Sequence, residues 1–106
     1  MEEIILCYIR RMHTGRDYAV SSPELERRFG LRGATLRKHI NTLRCRGYPI
    51  CSDESGYYYA ASYMELSDTI RQLNSRIVKI AQARNGLIRA GSAFPDESGQ
   101  ISLPLS

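Results

Sequence analysis

The chain has 106 residues, of which 42% are apolar, and its formal net charge is +4. This length suits one small domain with one appended helix, and the modest positive charge suits a polyanionic partner. No apolar run approaches the roughly 18 residues that span a bilayer, and no signal peptide is apparent, so we expect a cytoplasmic protein. Three cysteines without a CxxC pair argue against a disulfide framework. We therefore expect reduced thiols and no metal site.

A first helix is predicted over residues 2–13, with acids in its first turn, cations in its last turn and Gly15 as its stop signal. Its apolar residues recur at helical spacing and are expected to share one face: Ile4, Ile5, Tyr8, Ile9 and Met12. The short stretch 17–20 can contribute a few residues to a small sheet.

A second, short helix is predicted to start at Ser21 or Ser22, since either hydroxyl can cap it, and we favour Ser22. Gly30 ends this helix after about two turns. Two apolar residues face inward, Leu25 and Phe29.

The segment Leu31–Arg46 follows a glycine-containing turn and predicts a helix over residues 33–46. Three apolar residues form its buried stripe: Leu36, Ile40 and Leu43. From Arg27 to Arg46 there are seven Lys or Arg residues and no Asp or Glu. A helix that only needs to be soluble normally pairs acids with bases one turn apart, whereas a surface that faces phosphates avoids acids. Short helix, glycine turn and basic helix together form a helix-turn-helix pattern.

Two β-prone runs, residues 48–52 and 57–60, flank the acidic turn Asp53–Gly56 and predict a hairpin, the wing of a winged helix. Period-two alternation puts Tyr57 and Tyr59 on one face and Tyr58 on the other, so two tyrosines are expected to pack and one to be exposed. A catalytic tyrosine nucleophile needs a cluster of basic and acidic partners, and the sequence shows none beside these residues.

A long helix is predicted over residues 62–90, starting with a Ser62-x-x-Glu65 capping box. Its apolar residues follow the alternating steps of a heptad repeat: Tyr63, Leu66, Ile70, Leu73, Ile77, Ile80 and Leu87. Arg84 occupies the polar position of this seam. The helix either pairs with its copy in a second subunit or folds back over its own domain. We favour the homodimer, because the stripe has more apolar residues than a small winged domain can easily cover.

The patterns therefore predict a mainly α chain with a small β-hairpin. A winged helix-turn-helix domain occupies residues 1–61, a dimerisation helix residues 62–90, and a flexible tail rich in Gly, Ser and Pro residues 91–106.

Residues 20–61 resemble the winged helix-turn-helix DNA-binding domain at the N-terminus of biotin protein ligase/biotin-operon repressors, the type-11 helix-turn-helix family. The similarity is densest over residues 36–44 (LRKHINTLR) and continues at four wing positions: Gly47, Ile50, Gly56 and Tyr57. Arg32-Gly33 replaces the Ser-Arg pair usual at the start of the recognition helix, and the resemblance does not extend to the ligase. It implies a binder of double-stranded DNA, either a small transcription regulator or a protein of a phage or other mobile element.

Under this interpretation, side chains on the first turns of the basic helix reach base edges in the major groove: Arg32, Thr35, Arg37 and Lys38, with Asn41 and Thr42 next in reach. Further cations hold phosphates and set the register: Arg27, Arg28, Arg44 and Arg46. The acidic wing tip is expected to contribute little, or to contact DNA through one of three polar residues: Ser52, Ser55 or Tyr58. A dimer would place two recognition helices about 34 Å apart on a roughly palindromic site.

The alternative is a winged-helix protein–protein adaptor, for example in a replication assembly, that works through the heptad helix. An enzyme is the least consistent class, because no paired carboxylates, phosphate loop, nucleophile with an adjacent base or cofactor fingerprint is present in the sequence. We accordingly expect no cofactor, and association with the nucleoid when the protein binds DNA.

Overall fold

The computed structural model describes residues 1–94, and its elements follow the predicted order. The helices and strands are α1 Glu2–Met12, α2 Ser22–Phe29, α3 Gly33–Cys45, β1 Ile50–Asp53, β2 Gly56–Tyr59 and α4 Tyr63–Ala90. Short 3-10 turns cover Arg16–Tyr18 and Gly91–Ala93. The predicted fold class, mainly α with a small hairpin and a long C-terminal helix, is confirmed. Most of the predicted tail, residues 95–106, lies outside the described residues.

Within residues 1–94, no helix is both long enough and apolar enough to cross a membrane. The long helix α4 illustrates why, since charged side chains recur along it.

The start of α2 is capped by Ser21, whose Oγ accepts a hydrogen bond from the backbone N–H of Glu24 at 3.3 Å. The prediction that Ser22 is the cap is wrong. Ser22 is the first residue of the helix, and its hydroxyl donates to Glu26 Oε2 at 3.0 Å. Gly30 ends the helix in the left-handed conformation, with φ of 61°, as the sequence predicts.

The face of α1 that packs on the core consists of Ile5, Leu6 and Ile9, each at most 4% exposed. Two residues predicted for this face, Ile4 and Met12, are each 60% exposed, so that part of the prediction is wrong. The buried face is rotated toward Leu6 because α1 packs against both α3 and β2.

Strands β1 and β2 pair antiparallel, with Ile50 opposite Tyr59 and Asp53 opposite Gly56. Of the 17–20 stretch, which was expected to contribute a few residues to the sheet, only Val20 does so, through an isolated bridge to Tyr57; the stretch begins inside the 3-10 turn Arg16–Tyr18.

Both faces of the hairpin are covered. Tyr57 and Tyr59 pack against the core cluster, while Tyr58, on the opposite face, is 0% exposed. The expectation that one tyrosine is exposed is therefore wrong. The first turns of α4 lie over the outer face, where Thr69 Oγ1 accepts a hydrogen bond from the backbone N–H of Ser52 at 3.2 Å.

The chain divides into two compact units, Met1–Arg71 and Gln72 onward. The division falls inside α4, so the first turns of this helix belong to the N-terminal unit.

Candidate nucleic-acid interface

Helix α3 has a buried row and a polar side. Leu36, Ile40 and Leu43 are each at most 2% exposed and hold the helix on the core. The remaining side carries exposed residues that can donate or accept hydrogen bonds: Thr35, Arg37, Lys38, Asn41 and Thr42. These residues were all predicted to contact bases, and the fold brings them together on the solvent-facing side of one helix.

We define the cationic surface as four exposed cations at the end of α2 and the start of α3: Arg27, Arg32, Arg37 and Lys38. Among residues 1–94, no side chain forms a hydrogen bond or an ion pair with any of them. Helix α3 also starts without a side-chain cap, so the positive end of its dipole adds to the potential of these charges. A phosphate or another anion is the complementary ligand for such a surface.

Gly33, the first residue of α3, leaves room for one member of this surface. A Cβ at this position would lie 3.3 Å from Arg37 Nη1 and 3.4 Å from Glu26 Oε2. These distances are tighter than ordinary contacts, so a larger residue would displace the Arg37 side chain. The space required by the Arg37 side chain thus explains why glycine follows Arg32 in this chain.

Two of the predicted phosphate ligands have partners within the fold. The guanidinium of Arg28 lies over the ring of Tyr8, 4.0 Å from its centroid. Arg44 donates from Nε to the carbonyl oxygen of Ile50 at 2.7 Å and from Nη2 to Ser52 Oγ at 3.1 Å. These contacts hold the side chains of both arginines against the protein.

The first turn of α1 supplies acids to the C-terminal half of α3. Arg46 Nη1 donates to Glu3 Oε1 at 3.1 Å, and this bond raises the pKa of Arg46 above its ordinary value. His39 Nδ1 pairs with the carboxylate of Glu2, and the hydrogen bond to His39 lowers the pKa of Glu2. Ion pairs therefore compensate the positive charge toward the end of α3, whereas at its start Glu26 lies near Arg37 without forming an ion pair.

The hairpin tip offers little to a polyanion. Asp53 Oδ2 lies 3.4 Å from Arg16 Nε, and Glu54 is exposed. The suggested DNA contact through Tyr58 is wrong, because this side chain is 0% exposed. Ser55 is exposed and acidic residues precede it, so the tip carries negative charge where a phosphate would approach.

Arg16, which no sequence pattern marks as functional, links the turn after α1 to the hairpin and to the first turns of α4. Its Nη2 donates to Asp68 Oδ2 at 2.7 Å and its backbone N–H donates to Glu65 Oε2 at 3.0 Å. Its Nε lies 3.4 Å from the hydroxyl oxygen of Tyr58. The bonds to Asp68 and Tyr58 raise the pKa of Arg16. No local pattern reveals this role, because Tyr58, Glu65 and Asp68 are 42 to 52 residues away in the sequence.

A second candidate surface follows α4. We define the α4 apolar row as the seven predicted seam residues: Tyr63, Leu66, Ile70, Leu73, Ile77, Ile80 and Leu87. Five of them are between 44% and 77% exposed, while Leu66 and Leu73 are half-buried. An exposed apolar stripe of this length is typical of a protein–protein contact surface.

The three cysteines lie in different surroundings, with Cys7 and Cys45 exposed to solvent. Cys51 is buried, and burial raises the pKa of its thiol, which disfavours the nucleophilic thiolate. Among residues 1–94, no three His, Cys, Asp or Glu side chains are grouped so that they could hold a metal ion.

No protein-family model, curated protein or solved structure matches this chain. Function is therefore inferred from the two surfaces described above, the cationic surface and the α4 apolar row.

Proposed function

We propose that this chain binds double-stranded DNA by inserting the start of α3 into the major groove. It would act as a small dimeric transcription regulator or as a DNA-binding protein of a phage or other mobile element, in the cytoplasm and on the nucleoid. The observation that carries the proposal is the cationic surface, which is exposed and has no acidic partner among residues 1–94. The resemblance of residues 20–61 to the type-11 helix-turn-helix domains supports the same proposal.

The residues of α3 take different roles in this mechanism. Arg37 and Lys38 lie on the solvent side of the first turns, where a cationic side chain can bond the O6 and N7 atoms of guanine. Arg32 and Thr35 assist at the helix start, and Asn41 follows one turn later. These groups are the ones from which we expect discrimination between base sequences.

We expect Arg27 to make most of the phosphate contacts. It is exposed and unpartnered within residues 1–94, and it lies in the last turn of α2, the helix that precedes α3 across the turn. Arg28, Arg44 and Arg46 contribute through their charge, since contacts within the fold hold their side chains. We therefore expect the register on DNA to depend on Arg27 more than on these three arginines.

Fluorescence anisotropy of a labelled duplex, with single-stranded DNA alongside, tests the proposal. If about four phosphates are neutralised, raising salt from about 50 to about 200 mM should weaken duplex binding roughly 150-fold. Absence of binding at low salt, or a preference for single strands, would contradict the proposal.

A matched pair of variants separates the cationic surface from net charge. The variant Arg27→Ala/Arg37→Ala/Lys38→Ala removes three cations from that surface, and Arg71→Ala/Lys79→Ala/Arg89→Ala removes three cations from α4. Only the first should flatten the salt dependence and weaken duplex binding strongly at low salt. Equal losses in both variants would mean that general charge, and not α3, drives binding.

A second candidate function, a protein–protein adaptor, is favoured by the exposure of the α4 apolar row. It predicts that Leu73→Asp combined with Ile77→Asp abolishes capture of a partner protein. Unchanged capture by this double variant would eliminate the adaptor, and duplex binding in the anisotropy experiment distinguishes the two functions.

A further inference from the structure

Together with Arg84, the α4 apolar row has the same spacing when it is read from either end. We propose that α4 pairs with α4 of a second copy in antiparallel orientation, with Tyr63 opposite the partner's Leu87. This inference rests on the pairing part of the proposed function and is independent of DNA binding.

The proposed register follows from the heptad positions. Position a holds Tyr63, Ile70, Ile77 and Arg84, and position d holds Leu66, Leu73, Ile80 and Leu87. Parallel helices place a against a and d against d, whereas antiparallel helices place a against d. With Tyr63 opposite the partner's Leu87, the other layers become Leu66 with Arg84, Ile70 with Ile80, and Leu73 with Ile77. Every member of the row then has a partner, and no layer is lost at either end.

Arg84 is the residue that separates the two orientations. Parallel pairing in register brings Arg84 of both copies into one layer of the seam, where two cations are desolvated without an acid. Antiparallel pairing places each Arg84 opposite the partner's Leu66 and moves the two guanidinium groups about 27 Å apart along the helix axis.

The charges of α4 are also distributed in a way that favours the antiparallel orientation. Its acids, Glu65 and Asp68, lie in the first two turns, and from Gln72 to Ala90 every charged residue is a cation. Antiparallel pairing brings the cationic end of each helix to the acidic end of the other and also opposes the two helix dipoles. Both carboxylates bind Arg16 and lie at the outer heptad positions c and f, so the attraction acts between the helix ends at longer range and not through ion pairs across the seam.

The positive charge of Arg76 disfavours the antiparallel orientation. Arg76 flanks the seam, and in antiparallel helices it approaches the partner's Arg76 near the centre of the pair. This side chain is exposed, so solvent and salt screen the repulsion. Arg84 lies in the seam itself, where screening is weaker, and its effect on orientation is therefore the larger.

Cysteine cross-linking of the full chain tests the orientation. The exposed Cys7 and Cys45 are replaced by serine, and the buried Cys51 is kept. Tyr63→Cys and Leu87→Cys are introduced separately into this background, and both sites are exposed. Each variant is oxidised alone. In a further sample the two variants are mixed in urea, refolded together and then oxidised. Circular dichroism checks that the helices are retained.

Antiparallel pairing predicts cross-linked dimers in the mixture only, because residue 87 lies opposite residue 63 and about 36 Å from the partner's residue 87. Cross-linking of Leu87→Cys alone would overturn the orientation and establish parallel pairing. A monomeric mass by light scattering, with no cross-link in any sample, would overturn pairing itself. Because these samples contain no DNA, both results leave the DNA-binding proposal to the anisotropy experiment.

Discussion

Arg44 Nε donates a hydrogen bond to the carbonyl oxygen of Ile50 at 2.7 Å, which joins α3 to the first residue of β1. A second bond, from Nη2 to Ser52 Oγ, is 3.1 Å long. An arginine that the sequence assigns to phosphate binding thus fixes the hairpin relative to the basic helix. The contribution of the α3 cations to stability can be measured by mutation separately from the proposed DNA binding.

We expect Arg44→Ala to lower the free energy of unfolding by about 1–3 kcal/mol, because it leaves the Ile50 carbonyl without its donor. The matched variant Arg27→Ala removes an exposed cation and should change stability by less than about 0.5 kcal/mol. Urea denaturation followed by circular dichroism measures both. If the two variants were equally stable, the hydrogen bonds of Arg44 would not hold the hairpin.

Gly56 is required by its backbone conformation and by a close approach. Its φ is 129°, and a Cβ there would lie 2.1 Å from the carbonyl oxygen of Val20. Gly56→Ala must therefore shift both the turn and the Val20 bridge, and we expect a loss of at least about 3 kcal/mol. Thermal unfolding should show this as a large fall in Tm.

Gly86 is the matched control for this substitution. It lies inside α4, and the nearest atom to an added Cβ is Arg89 Nη2 at 3.8 Å. Gly86→Ala should therefore stabilise the helix by up to about 1 kcal/mol. A similar effect of alanine at both positions would contradict the role assigned to Gly56.

Local spacing in the sequence was sufficient to predict the main elements. The steps between Leu36, Ile40 and Leu43 define the buried side of α3, because a helix repeats every 3.6 residues whatever surrounds it. The same argument gives α4 to within one residue of its start. The choice between Ser21 and Ser22 as cap was wrong, because the two adjacent serines carry the same chemical signal.

Long-range packing could not be predicted in this way. Alternation places Tyr58 on the face opposite Tyr57, and only the position of α4 explains why this second face is buried as well. The contacts of Arg16 with Glu65 and of Glu3 with Arg46 likewise join distant segments. For the candidate site, the charge pattern found the cations of α3, and the fold was needed to separate those held by partners from those that are unpartnered within residues 1–94.

Acid sensitivity is expected at the start of α4. The Glu65 carboxylate accepts hydrogen bonds from the backbone N–H groups of Ala61 at 2.9 Å and Arg16 at 3.0 Å. These bonds lower the pKa of Glu65 from its ordinary value of 4.5. A carboxyl group whose pKa is lower in the folded state than in the unfolded state stabilises the protein at pH values above its ordinary pKa. This contribution is lost as the pH falls through the lowered pKa.

Wild type should therefore be more stable than Glu65→Gln near neutral pH, and the difference should shrink on acidification to a pH below 4.5. Urea midpoints at both pH values measure it. Glu54→Gln is the control, because Glu54 is exposed and forms no hydrogen bond within residues 1–94. A difference between wild type and Glu65→Gln that did not change with pH would show that the charge of Glu65 is not responsible.

The division of roles on the cationic surface predicts two kinds of DNA-binding defect. Arg37 and Lys38 are assigned to base edges, so Arg37→Ala or Lys38→Ala should reduce the preference for a selected site over random duplex by about 1–3 kcal/mol each. Arg27 is assigned to phosphate, so Arg27→Ala should weaken all duplexes alike and reduce the salt slope by about one unit.

Competition anisotropy with a selected site and a random duplex, each titrated with salt, measures both defects. Because Arg27 is exposed, its substitution should leave the fold intact, and urea denaturation verifies this for every variant. If Arg37→Ala and Arg27→Ala changed affinity for both duplexes by the same factor, both residues would be phosphate ligands. Sequence discrimination would then have to come from residues further along α3, with Asn41 the first to be tested, because its amide can form paired hydrogen bonds with adenine.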